Sequence, residues 1–189
     1  MVTGYRVQVL AVERVERLLR SVCGALDEAG LAYAVVGGNA VALWVSTVDA
    51  EAVRATKDVD LLVRRPDLQR IVEAARPLGL VSEEVLGIHM LVEREHPSPR
   101  SGVHLVIAGE KIRPHYRYPA PQPEAHSRID GVAVLELQKL LEMKLQAFRD
   151  IDRVHVRDLL RLGLIDPSWR ERLPEDLAAR LDDILARPE

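Results

Sequence analysis

Val35-Val36-Gly37-Gly38-Asn39-Ala40-Val41-Ala42-Leu43-Trp44-Val45, followed after a polar insert by Arg54-Ala55-Thr56-Lys57-Asp58-Val59-Asp60-Leu61-Leu62-Val63, is the stretch whose reading decides the fold. Ala34 to Val36 is a short apolar run that stops at two glycines. Asn39 to Val45 then carries apolar residues all round, as a buried helix does. The pattern reads as strand, tight turn, helix. Such a turn leaves unpaired backbone N–H groups at the helix start, and glycines let an anion come close to them, phosphate first of all. Val59 to Val63 is apolar enough for an interior strand, yet Asp58 and Asp60 stand at its head. Side chains two apart on a strand share a face, with Cα atoms roughly 6.5–7 Å apart. Two carboxylates that close repel, and a hard divalent cation, Mg²⁺ or Mn²⁺, relieves the repulsion.

The rest of the chain supplies an α/β (α+β) frame for this centre. Apolar residues recur at helical spacing from about Gln8 to Ala29, and Gly30 ends that helix before a strand over Leu31 to Val36. Pro66-Asp67 opens a helix that runs to about Arg76, ahead of Pro77 and Gly79. Residues 80–107 read as two or three strands, with His89–Glu95 and Gly102–Ala108 joined by a hairpin loop over Pro97–Gly102. Ile129 to Val134 is a last short strand, Leu135 to about Leu162 is helical, Gly163 to Trp169 is a break, and Pro174 to Ala186 is a closing helix. We therefore expect a core over residues 1–130 and a C-terminal helical region over 131–189, packed as one compact unit.

Composition narrows the function classes. At 189 residues, 48% hydrophobic and 29% charged, the sequence is that of a globular protein with an aliphatic core, since aromatics make up only 4%. A net charge of −3 gives no global basic field, so any contact with nucleic acid must be local. The single cysteine, Cys23, excludes an internal disulfide and any multi-cysteine metal site. No apolar run reaches membrane-spanning length and no signal-peptide core is visible, which leads us to expect a cytoplasmic protein with no membrane partner.

Gly37-Gly38 followed by Asp58-Val59-Asp60 resembles the polymerase-beta-type nucleotidyltransferase signature, and Arg54, Thr56 and Lys57 ahead of the acids narrow the resemblance to the AbiEii-type nucleotidyltransferases, many of them toxins of toxin-antitoxin pairs. The longer gap between glycines and acids puts an extra loop at Thr47 to Ala55. Met143-Lys144-Leu145, Arg149-Asp150 and Arg157-Asp158-Leu159 resemble the family's later motifs. The resemblance implies a small mixed sheet flanked by helices and transfer of a nucleoside monophosphate from an NTP to an RNA, protein or small-molecule acceptor, with an antitoxin protein as a further partner. It implies Asp58 and Asp60 as metal ligands for Mg²⁺ or Mn²⁺ and, with Lys144, as catalytic residues, and Gly37, Gly38, Asn39, Arg54, Thr56, Lys144 and Asp158 as the nucleotide-binding set; His104 joins the catalytic candidates by its place in the strand Gly102–Ala108.

The sequence departs from the family at one position. Where a third carboxylate is expected in the strand Gly102–Ala108, His104 stands. An imidazole there can ligate Mn²⁺, act as a general base near neutral pH, or merely occupy a sheet face, and Glu93 and Glu95 are alternative acids if the register differs. The alternative reading of the whole chain is a catalytically weak or inactive member that acts by binding. Residues 110–130, rich in proline, carry Lys111, Arg113, His115, Tyr116, Arg117, Tyr118, His126 and Arg128, which suits either contact with a polynucleotide or a solvated crossing loop.

Overall fold

The computed structural model describes residues 3–95, 97 and 102–187, with side chains from residue 13 onward. A seven-stranded mixed sheet is flanked by helices, in the strand order β3-β4-β5-β2-β1-β7-β6. The strands are β1 (Tyr33–Val35), β2 (Val59–Val63), β3 (Leu80–Val85), β4 (Ile88–Glu93), β5 (Val103–Ile107), β6 (His126–Ile129) and β7 (Val132–Leu135). The helices are α1 (Thr3–Glu28), α2 (Gly37–Ser46), α3 (Leu68–Ala75), α4 (Leu137–Ala147), α5 (Asp150–Arg161) and α6 (Glu175–Ala186).

β2 lies at the centre of this order, antiparallel to β1 and parallel to β5. Val59, Leu61, Leu62 and Val63 are fully buried, as the continuous apolar run requires of an interior strand. Register decides which way its side chains face. Tyr33 pairs with Val63, and its hydroxyl donates to Asp27 of α1. The odd residues of β2 therefore share the α1 face, and by the two-residue period Asp58, Asp60 and Leu62 share the other. That second face is covered by α2, which packs on β2 and against α4 and α5.

Three elements differ from the sequence reading. The single strand expected over Ile129 to Val134 is a hairpin of β6 and β7, turned by Asp130 (φ 51°) and Gly131 (φ 83°), the left-handed pair of a tight two-residue turn. β7 pairs parallel with β1 and so carries residues C-terminal to position 130 into the sheet beside the glycine turn. The helix expected from Leu135 to Leu162 is two helices, because Phe148 takes a left-handed conformation (φ 52°) and Asp152 accepts the Arg149 N–H at 3.2 Å, starting a new helix. The strand expected over Leu31 to Val36 is shorter, Tyr33–Val35. The antiparallel pairing of β4 with β5 is present, but most of the loop assigned to Pro97–Gly102 lies outside the described residues. No described helix is long and apolar enough to cross a membrane.

Candidate functional site

The site is built where β1 hands over to α2. The Val36 N–H donates to the Asp60 carbonyl at 3.0 Å, which draws the end of β1 against the head of β2. Gly37 follows with φ 67°, a conformation L side chains rarely adopt. A Cβ there would overlap Asp60 Oδ2 and lie 2.9 Å from its Cγ, so glycine is demanded by the carboxylate itself. At Gly38 a Cβ would come within 2.9 Å of the Thr56 methyl. The turn thus presents bare backbone at the N-terminus of a ten-residue helix, directly beside an acid.

Asp58, Asp60 and His104 converge, each offering a ligand atom within 4.8 Å of the others. β2 and β5 run parallel with Asp60 opposite His104, which brings the His104 Nδ1 to 3.1 Å from Asp60 Oδ1 and 3.8 Å from Asp58 Oδ2. The Asp60 and His104 side chains are 25% and 24% exposed, that of Asp58 47%. Partial burial, with the Asp60 carboxylate next, raises the Asp58 pKa, while His104 and Arg149 oppose the shift. Two carboxylates and an imidazole, open on one side, form a donor set that fits a divalent cation. Glu93 and Glu95 are not members of this group among the described residues: Glu93 pairs with Arg14 at 2.7 Å, and Glu95 is exposed beyond the end of β4.

Polar side chains of the insert are tied to this centre rather than left to solvent. The Asn39 carboxamide donates to the Asp58 carbonyl at 2.6 Å and accepts from the Thr56 hydroxyl at 2.6 Å. Arg54 forms a two-pronged pair with Asp158 of α5, one arm at 3.1 Å. Asn39, Thr56, Arg54 and Asp158 therefore hold the walls: the first two fix the backbone at Asp58, the others clip the insert to α5.

Lys144 is 5% exposed and bonded to Asp152 at 3.2 Å. Burial lowers its pKa against the pull of Asp152, and the Asp60 carboxylate also acts on it. Burial would raise the Asp152 carboxyl, but the Arg149 hydrogen bond and the Lys144 charge outweigh it and hold it below the usual range. Arg149 clasps Asp152 at 2.7 Å and also interacts with Asp60 and Tyr116. The acids thus face a cationic pair that one buried carboxylate anchors. Asp150, the acid singled out in sequence, is instead exposed and paired with Arg153.

His155 went unnoticed in the sequence. It is 7% exposed, lies under Gly38, and its Nδ1 has no hydrogen-bond partner among the described residues. Burial, then the Lys144 charge, lowers its pKa to about 4, so the ring is neutral at physiological pH. The basic stretch is partly committed elsewhere: Arg128 pairs with Asp27, and the Tyr118 hydroxyl donates to Asp176. Lys111, Arg113 and His115 are exposed.

No protein-family model and no curated protein matches the chain. Solved structures do match in fold. An antigenic nucleotidyltransferase-like protein from Paracoccidioides brasiliensis superposes with a TM-score of 0.60 at 18% identity, over 94% of this chain and 90% of that one. ANT(2'')-Ia in complex with adenylyl-2''-tobramycin gives 0.55 at 18%, over 92% and 98%. The lincosamide antibiotic adenylyltransferase LnuA, lincomycin-bound, gives 0.53 at 11%, over 78% and 97%. The chain has the polymerase-beta-like nucleotidyltransferase fold that these proteins share.

Proposed function

We propose that the chain is a metal-dependent nucleotidyltransferase that moves a nucleoside monophosphate from an NTP to an acceptor. The observation that carries this reading is the contact between the bare backbone of Gly37 and the Asp60 carboxylate, with Asp58 and His104 completing a cation-fitting group on that fold. Asp58, Asp60 and His104 would hold Mg²⁺ or Mn²⁺, the imidazole favouring Mn²⁺. A bound divalent ion supplies charge compensation for the triphosphate and its leaving group.

The chain's own residues supply positioning. Gly37 and Gly38 offer the first N–H groups of α2, at the positive end of the helix dipole, to the phosphate tail. Lys144 and Arg149, anchored by Asp152, set positive charge beside the acids. Asn39 and Thr56 fix the Asp58 backbone, and the Arg54–Asp158 pair holds the insert over α2. The adenylylated tobramycin and the lincomycin in the two neighbouring structures support a small-molecule acceptor. The AbiEii-like motifs support an RNA or protein acceptor and an antitoxin partner.

A second reading follows from His104. An imidazole within 3.1 Å of Asp60 stands where the family places a third acid, which favours a weakly active or inactive protein that works by binding. Incubation with each α-labelled NTP and Mn²⁺ or Mg²⁺, against total RNA, cell lysate and an aminoglycoside or lincosamide, separates the two. Label transfer that Asp58→Ala and Asp60→Ala both abolish supports the enzyme. Binding of NTP with no transfer to any acceptor supports the second reading.

A further inference from the structure

A pocket of about 350 Å³ opens between α1, α2, the segment before Asp58 and the β6–β7 turn. Its size falls within the range of small-molecule sites. Val15, Leu19, Leu43, Val53 and Val132 make an aliphatic wall. At its mouth Arg20 pairs with Asp130 and with Glu16, so the exposed charges there compensate one another in large part. Arg54, which also borders the pocket, is paired with Asp158.

The neutral polar groups of the lining are the Asn39–Thr56 pair and Ser46, whose hydroxyl donates to the Leu43 carbonyl at 2.7 Å. A carboxamide has two N–H donors, a hydroxyl two lone pairs. Among the described residues one Asn39 N–H goes to the Asp58 carbonyl and the Thr56 proton goes to Asn39, which leaves the second N–H and the hydroxyl lone pairs to a ligand. An aliphatic wall, a neutral hydrogen-bonding end and a self-compensated mouth together select against a charged molecule, whose desolvation nothing inside would offset. We propose that this pocket binds an uncharged, mainly apolar small molecule carrying one hydrogen-bonding group, and that Asn39 links its occupancy to the backbone of Asp58. The pocket shares Asn39, Arg54 and Thr56 with the walls of the candidate site, while the inference itself invokes neither the metal nor a nucleotide.

N-phenyl-1-naphthylamine, an uncharged apolar fluorophore with one N–H, is a direct probe. Titrated into the full chain, it should brighten saturably with one site per chain. Val53→Trp, on an exposed segment at the wall, and Leu43→Trp should each weaken binding by about tenfold or more. Leu86→Ser, which removes a leucine that is 98% exposed on the distant β3–β4 turn, should leave it unchanged. The probe should also move the Asn39 side-chain amide resonances. Thermal melts of both tryptophan variants separate filling from unfolding. An absence of saturable binding to the wild type, affinity unaffected by Val53→Trp in a folded protein, loss of binding in Leu86→Ser, or binding that leaves the Asn39 amide unmoved would each overturn the proposal.

Discussion

His104 Nδ1 stands 3.1 Å from Asp60 Oδ1 because two parallel strands set the two residues opposite each other, one from β5 and one from β2. Asp58 Oδ2 lies 3.8 Å from the same nitrogen. The imidazole thus stands within reach of both carboxylates, and a divalent ion would compete with it for the same oxygens.

His104→Asp replaces the compensating ring with a third acid. In EDTA the variant should melt lower than wild type by about 2–8 °C, as expected for a loss of ~1–2 kcal/mol in a chain of this size. Mg²⁺ should recover more of its stability than it adds to wild type, since three oxygen donors suit Mg²⁺ better than two with a nitrogen. Differential scanning fluorimetry in EDTA, Mg²⁺ and Mn²⁺ reads both effects. Coincident melts of the two proteins in EDTA would mean that the imidazole does not compensate the acid pair.

The two glycines of the turn should respond unequally to alanine. Gly37→Ala meets both a positive φ and the Asp60 carboxylate, so the acid must move and stability should fall by roughly 2–3 kcal/mol. Gly38→Ala meets only the Thr56 methyl, which can yield, and should cost about 1 kcal/mol or less. Urea denaturation ranks them, and calorimetric titration with Mn²⁺ should show weakened binding for Gly37→Ala alone. Equal losses in both would place the strain in the helix start rather than at Asp60.

Much of this centre is legible because its signals are local. An apolar run ending at two glycines, and two acids spaced by the strand period, fix the turn and the shared face before any tertiary contact is known. Two features depend on packing instead. Nothing around Phe148 marks a helix break, since neither glycine nor proline is there; its left-handed backbone is held in a setting where Arg153 and Arg180 stack on the ring at 4.4 and 5.1 Å. Asp150 and Asp152 look interchangeable in composition, yet two residues on a helix are about 200° apart. Asp152 falls in line with buried Val156 and Leu159, a stripe that could have identified it, while Asp150 points to solvent. The Asp130-Gly131 pair was a hairpin signal that the neighbouring apolar residues, read as one strand, concealed.

His155 should make stability depend on pH. Its folded pKa is about 4 against an ordinary 6.5, so between these values the unfolded chain binds a proton that the folded chain does not. Stability is therefore complete above about pH 6.5 and falls as pH drops toward 4, by at most ~3 kcal/mol. His155→Gln, which cannot titrate, should flatten that part of the profile. Urea midpoints from pH 4 to 7.5 for both proteins test it; parallel profiles would assign the slope to the carboxylates instead.

Lys144 and Asp152 should not be equivalent under mutation, although they share one bond. Lys144→Met removes a buried cation and leaves Asp152 with Arg149, which already clasps it at 2.7 Å, so the fold should lose about 1 kcal/mol or less. Asp152→Ala leaves Lys144 buried without the carboxylate it is bonded to and strips the Arg149 N–H of its acceptor at the start of α5, which should cost ~3–5 kcal/mol. The double variant should recover part of that loss, because no buried ammonium then remains uncompensated. Equilibrium unfolding of the two single variants and the double one closes the cycle. A Lys144→Met variant less stable than Asp152→Ala would show that the lysine, and not the carboxylate, organises the break between α4 and α5.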